Sequence, residues 1–167
     1  MAQSTHDEVD RILAAWRAER PDLDCSPMAV WSRLTRLARH MELARKATFA
    51  ALDLETWEFD VLTALRRAGS PYTLTPSRLA TETLVTSGTM TNRLDRLEQR
   101  DFVQRSTAPE DGRGIRVTLT ASGITKVDAA LTSLLEFEQE MLTVLSDPER
   151  LELANLLRAI LLRFDTI

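Results

Sequence analysis

Apolar side chains recur at helical intervals along most of the chain. Val9, Ile12, Leu13 and Trp16 predict a first helix, opened by a T-x-x-E capping box of Thr5 and Glu8 and closed near Arg20, ahead of Pro21. Ser26 and Pro27, as N-cap and first helical position, predict a long second helix carrying Val30, Trp31, Leu34, Leu37, Met41 and Ala44. A third holds Trp57, Val61, Leu62 and Leu65 and ends in the turn around Gly69, Ser70 and Pro71. Thr75 and Pro76 start a brief helix containing Leu79 and Ala80, and a tight turn through Thr83 and Leu84 leads into a helix from Ser87 to Arg100. Two short helices in such close succession predict a helix-turn-helix.

The period then drops to two. Val103 and Arg105, and after them Ile115, Val117 and Leu119, alternate across a connection containing Pro109, Asp111, Gly112 and Gly114, which predicts a β-hairpin, or wing. A helix follows from Thr120 to Leu145, with Val127, Leu131, Leu134, Leu135, Met141, Leu142 and Leu145 along one side. The last helix opens at a second capping box, Ser146 with Glu149, and carries Leu153, Leu156, Leu157, Ile160, Leu161 and Phe164. The expected fold is mainly α with a small β-wing, one domain over 1–167. Residues 54–119 form a winged helix-turn-helix lobe, and 5–52 and 120–167 supply N- and C-terminal dimerisation helices. Those terminal helices are too apolar for a small winged lobe alone, so a homodimer is expected.

A length of 167 residues and a hydrophobic share of 44% suit one domain of this kind. No apolar run reaches the roughly 18 residues of a membrane span, so no membrane partner is expected. The amino terminus is polar and acidic rather than basic and then apolar, which makes the cytoplasm the expected location. Cys25 stands alone and excludes an internal disulfide framework. His6 and His40 are isolated, no glycine-rich phosphate loop occurs and no metal-ligand spacing appears, so neither an enzyme, a metal site nor a cofactor is expected.

The net charge of −4 speaks against a nucleic-acid partner only in bulk. Arg93, Arg96, Arg100, Arg105, Arg113 and Arg116 gather in one segment, although Asp95, Glu98, Asp101, Glu110 and Asp111 are interleaved with them. Within the second short helix, Met90, Leu94 and Leu97 take the core side and turn Ser87, Thr91, Asn92 and Arg96 outward. Asn pairs bidentately with adenine, Ser and Thr reach base edges or phosphate, and Gly88 admits close backbone approach. Taken alone, that helix fits a solvated polar face better; the helix-turn-helix and the wing together reverse the reading in favour of DNA. Arg113, between the two strands, is placed to enter a minor groove, while Arg105 and Arg116 suit phosphate contacts.

The run D-G-R-G-I-R-V-T-L-T from Asp111 to Thr120 resembles the wing signature of the MarR family. V-T-S-G-T-M-T-N-R-L-D-R-L-E-Q-R from Val85 to Arg100 resembles that family's recognition helix, and the flanking helices stand in the same order. Two positions depart from the pattern: Asp101 replaces a frequent glycine, and Gly112 replaces a frequent second arginine. In finer detail the chain resembles the urate-responsive, PecS-type branch, through Trp16 on an additional amino-terminal helix, Asp60 and Arg67 on the third helix, and Arg93 on the recognition helix.

The resemblance implies a DNA-binding repressor of a pseudo-palindromic operator, released by urate or a similar small anionic effector. It implies that Asp111 supports Arg113, that Trp16 caps a pocket, that Arg67 pairs with the anion, that Asp60 is an acidic trigger and that Arg93 links Asp60 to the recognition helix. Spacing alone fits an ordinary surface charge couple as well as a functional pair at Asp60 and Arg67. A redox-sensing repressor using Cys25, which precedes a helix, is the alternative, weakened because Tyr72 is the one tyrosine.

Overall fold

The computed structural model describes residues 6–107 and 114–164. Helices α1 (Glu8–Glu19) and α2 (Met28–Ala50) lead into α3 (Thr56–Arg67), strand β1 (Thr73–Leu74), α4 (Pro76–Glu82), α5 (Ser87–Gln99), strands β2 (Val103–Thr107) and β3 (Ile115–Leu119), α6 (Ala121–Met141) and α7 (Asp147–Leu161). The hairpin of β2 and β3 is antiparallel, with Val103 opposite Leu119 and Thr107 opposite Ile115. Strand β1 adds to the far edge of β3, giving the order β1-β3-β2. Alternation does not reveal β1, because two residues are too few to show a period.

Three boundaries differ from expectation. Asp7 caps α1 and its capping box closes with Asp10, while Glu8 pairs with Arg36 on α2; the expected cap, Thr5, lies outside the described residues. Helix α2 starts at Met28, with Pro27 already helical and Ser26 turned back to Asp24. Helix α6 gives way at Leu142 to a short 3-10 turn through Val144.

The core belongs to the winged lobe and the helix ends that grip it. Phe49 from α2 stacks on Phe59 from α3 at 4.2 Å, and Leu62, Leu65, Leu79, Met90, Leu94 and Leu97 pack with Val103, Val117 and Val127 around them. Met90, Leu94 and Leu97 are buried, as their spacing requires. A forked ion pair from Arg66 to Asp128, at 2.8 and 3.1 Å, ties the end of α3 to α6. Helix α7 buries no residue within the chain and exposes Leu151, Leu156 and Leu161, while α2 exposes Val30, Trp31 and Leu37. Between these faces lies a largely apolar groove of about 690 Å³. No helix among the described residues is long and apolar enough to cross a membrane.

Candidate nucleic-acid interface and neighbouring cavity

Thr86 caps α5 by accepting the amide of Thr89, which places Ser87, Gly88, Thr91 and Asn92 on its exposed leading half. The Thr91 hydroxyl donates to the Ser87 carbonyl and keeps its lone pairs outward. A Cβ built on Gly88 meets nothing within 4 Å, so packing inside the protein does not demand glycine there. The position is open for something approaching from outside. Arg116 on β3 is exposed and shares a notch with Arg78, Thr73 and Thr75. Asp111 and Arg113 lie outside the described residues.

The other arginines expected to face DNA are used internally. Arg96 folds back to Glu55 while its guanidinium lies 4.8 Å above the Trp57 ring, although half its side chain remains in solvent. The Trp57 indole N–H donates to the same Glu55 at 2.7 Å, and these two bonds, the indole's first, hold that carboxyl below the usual range. Arg105 is largely covered between Glu98 and Asp95, pinning β2 to α5 instead of standing free for phosphate. Its hydrogen bonds lower Glu98 in turn. Arg100 reaches the buried Glu58 at 2.7 and 2.9 Å, with a second nitrogen on Asp53.

Arg93, Arg96 and Arg100 therefore form one stripe along α5 that grips the start of α3. This overturns the expected link from Arg93 to Asp60. Arg93 sits over Trp57 at 5.4 Å, one helical turn short of Asp60, and the indole intercepts it. Asp60 is paired instead with Arg45 of α2, at 3.2 Å.

Asp60 and Arg67 are brought together by the helical repeat of α3, both lining a cavity of about 320 Å³ with Arg45, Thr63, Glu82 and Leu84. Arg67 pairs with Glu82 at the end of α4, at 3.3 Å, and Glu82 also accepts from Arg78 at 2.9 Å. Trp16 and Arg93 are not among the lining residues; Trp16 is half-exposed on α1. Arg45, Thr63 and Glu82 carry no motif that sequence reading can use, since α2 and α4 approach α3 only in the fold. Cys25 is half-buried in the loop before α2, and Tyr72 packs beneath Arg66 in the winged lobe, 4.7 Å from its guanidinium. Among the described residues, no acidic, His and Cys cluster suits a metal ion.

A helix pair with an exposed polar leading face, followed by a two-stranded wing, defines a winged helix-turn-helix DNA-binding protein. Residues 52–114 match the MarR family model. The chain is similar to the HTH-type transcriptional regulator PecS of Dickeya dadantii (strain 3937), 36% identical over 150 residues, 90% of each chain. Its fold is similar to that of a MarR mutant from E. coli, with a TM-score of 0.67 at 26% identity over 79% of this chain and 96% of that one. It is also similar to an S. aureus MepR mutant bound to an oligodeoxyribonucleotide, with a TM-score of 0.58 at 26% identity over 81% and 98%. The chain belongs to the MarR family of transcriptional regulators, which are not enzymes.

Proposed function

We propose that the protein is a homodimeric repressor that leaves its operator when urate or a similar small anion occupies the cavity holding Asp60 and Arg67. The observation that carries this reading is that cavity's construction. Its walls come from α2, from α3 and from the α4–α5 turn of the helix-turn-helix, so an occupant touches both the scaffold and the DNA-reading unit. Arg67 offers a planar fork to an anion, and Asp60 repels negative charge placed beside it.

Dimerisation is supported by α7, an apolar helix of 15 residues that buries nothing in the protomer and is too short to be stable in isolation. A partner covering it, α1 and α2 sets two winged lobes about one DNA turn apart, near 10 bp between half-site centres. Ser87, Gly88, Thr91 and Asn92 then enter the major groove, Arg113 the minor groove, and Arg116 with Arg78 meets phosphate. Arg105 and Arg96 serve by holding the wing and α5 in place.

Gel-shift titration on the protein's upstream intergenic DNA tests this, with urate added stepwise while tryptophan emission is followed. Operator release in parallel with quenching is expected. Urate at millimolar concentration that changes neither refutes the effector, and a monomer mass by light scattering with DNA binding intact refutes the dimer.

A further inference from the structure

The cavity beside α3 contains more cationic machinery than Asp60 and Arg67 account for. Arg45 enters it from α2, with its guanidinium 5.7 Å above the Phe49 ring and one nitrogen 3.2 Å from Asp60, long for a charge-assisted bond. Among the described residues, its solvent-shielded Nε meets no acceptor. The buried hydroxyl of Thr63, on the same cavity wall, likewise has no partner among them. A desolvated donor without an acceptor is unfavourable, so Arg45 gains by turning toward another acceptor. Arg67 is held as loosely, by one 3.3 Å bond to a carboxylate that Arg78 also binds.

The wall formed by the helix-turn-helix is itself unusual. Leu84, in the α4–α5 turn, has φ +53° and is almost wholly exposed, although a leucine in the left-handed region is strained and a bare leucine side chain gains nothing from water.

We infer that Arg45 is a second anion-binding residue of this cavity, acting with Arg67, and that the bound anion is communicated to the helix-turn-helix through Glu82 and the Leu84 turn. The inference rests on the ligand-responsive reading above. An anion accepting from both arginines draws Arg45 off Asp60 and Arg67 off Glu82. Thr63 supplies a hydroxyl donor or acceptor, and the released Asp60 accepts from an N–H or O–H. The fitting ligand is thus a small planar anion bearing donors beside its acceptors. Glu82, left to Arg78 alone, no longer pairs across to α3, which leaves α4 held there by its packing, and the strained turn is free to relax around the ligand.

Calorimetric titration of the full chain with urate, alongside urate-dependent gel shifts and melting curves, tests both parts. Arg45→Gln raises the urate Kd roughly tenfold or more, the size expected for losing a hydrogen bond to a charged group, and Arg45→Lys recovers part of it. Glu82→Gln binds urate at least as tightly as the parent and, with the tie to Arg67 already weakened, holds the operator less tightly than the parent before any urate is added. A merely structural Arg45 lowers the melting temperature without moving Kd, and that result overturns its assignment. Should Arg45→Gln fail to fold, an unchanged Kd in Arg45→Lys overturns it equally. A ligand-free operator affinity of Glu82→Gln equal to the parent's overturns the route through α4. If the parent protein binds no urate, both this inference and the reading beneath it fall, whereas normal binding with an unaffected Arg45→Gln removes this inference alone.

Discussion

Replacing Arg100 by Met tests how the recognition helix is anchored. The Glu58 side chain is 1% exposed and receives three donations: two from one Arg100 nitrogen, at 2.7 and 2.9 Å, and one from the Glu55 amide, at 2.9 Å. Without Arg100 the carboxylate keeps only the amide. Breaking a buried pair costs about 3–5 kcal/mol; because Arg100 is itself 29% exposed and water reaches the vacated site, about 3 kcal/mol is expected. For a chain of this length that lowers the melting temperature by roughly 6–12 °C at fixed protein concentration. The double variant Glu58→Met with Arg100→Met removes the stranded charge and, despite losing the α3 capping box, is less destabilised than the two single changes summed. Thermal melts of all four proteins complete the cycle. Strict additivity refutes the claim that an uncompensated buried carboxylate is the source of the loss.

Gly123→Ala sets two effects of opposite sign against each other: helix propensity favours Ala by about 1 kcal/mol, while the new Cβ falls 2.0 Å from the Phe102 carbonyl oxygen and 2.9 Å from its carbon. Overpacking against backbone costs about 1–3 kcal/mol and prevails, so a melting temperature lower by a few degrees is expected and a rise refutes it. The Arg33 hydrogen bond holds Asp7 at about 2 against an ordinary 3.8. Because the folded value is depressed, the contribution of this α1–α2 link is complete above 3.8 and fades as pH falls toward 2. An NMR titration of the Asp7 carboxyl shows this midpoint, and one that stays unmoved in Arg33→Gln refutes the pairing.

Helices were legible wherever an apolar stripe met a cap, as in α5, where Met90, Leu94 and Leu97 define the buried face. The partners of the arginines were not legible, because the carboxylates that claim Arg96 and Arg100 lie 41 and 42 residues away. One signal was present: Arg93, Arg96 and Arg100 share a helical stripe beside the core positions Leu94 and Leu97, a placement that favours packing against a neighbouring helix over free exposure. The caps of α1 show a different limit. The T-x-x-E pattern selects Thr5 with Glu8, whereas the box that forms is Asp7 with Asp10, both of which bond to Arg33 on α2. Asp60 and Arg67 were singled out by the family resemblance, since their spacing on one helix fits a surface couple as well, whereas Arg45 and Glu82 needed three helices to be in place.

The unequal strength of two grips on α3 determines how the proposed switch moves. At its start, α3 holds the rear of α5 through the buried Glu58–Arg100 pair, with Arg96 and Arg93 over Trp57 in support. At its end, beside the core packing of Leu79, its polar tie to α4 is a single 3.3 Å bond from the mostly exposed Arg67 to Glu82. An exposed single bond is worth little, whereas a buried forked pair is costly to break, so an anion competing for Arg67 opens the α4 contact first. The rear of α5 then remains pinned while the α4–α5 turn shifts. Rotation about an anchor at Arg100 displaces most the residues furthest from it, which are Ser87, Gly88, Thr91 and Asn92 on the leading half. On the proposed reading, a modest change at the cavity is thereby delivered to the leading half of α5, the part assigned to the bases, through the packing of Met90 against Leu62 and Leu65.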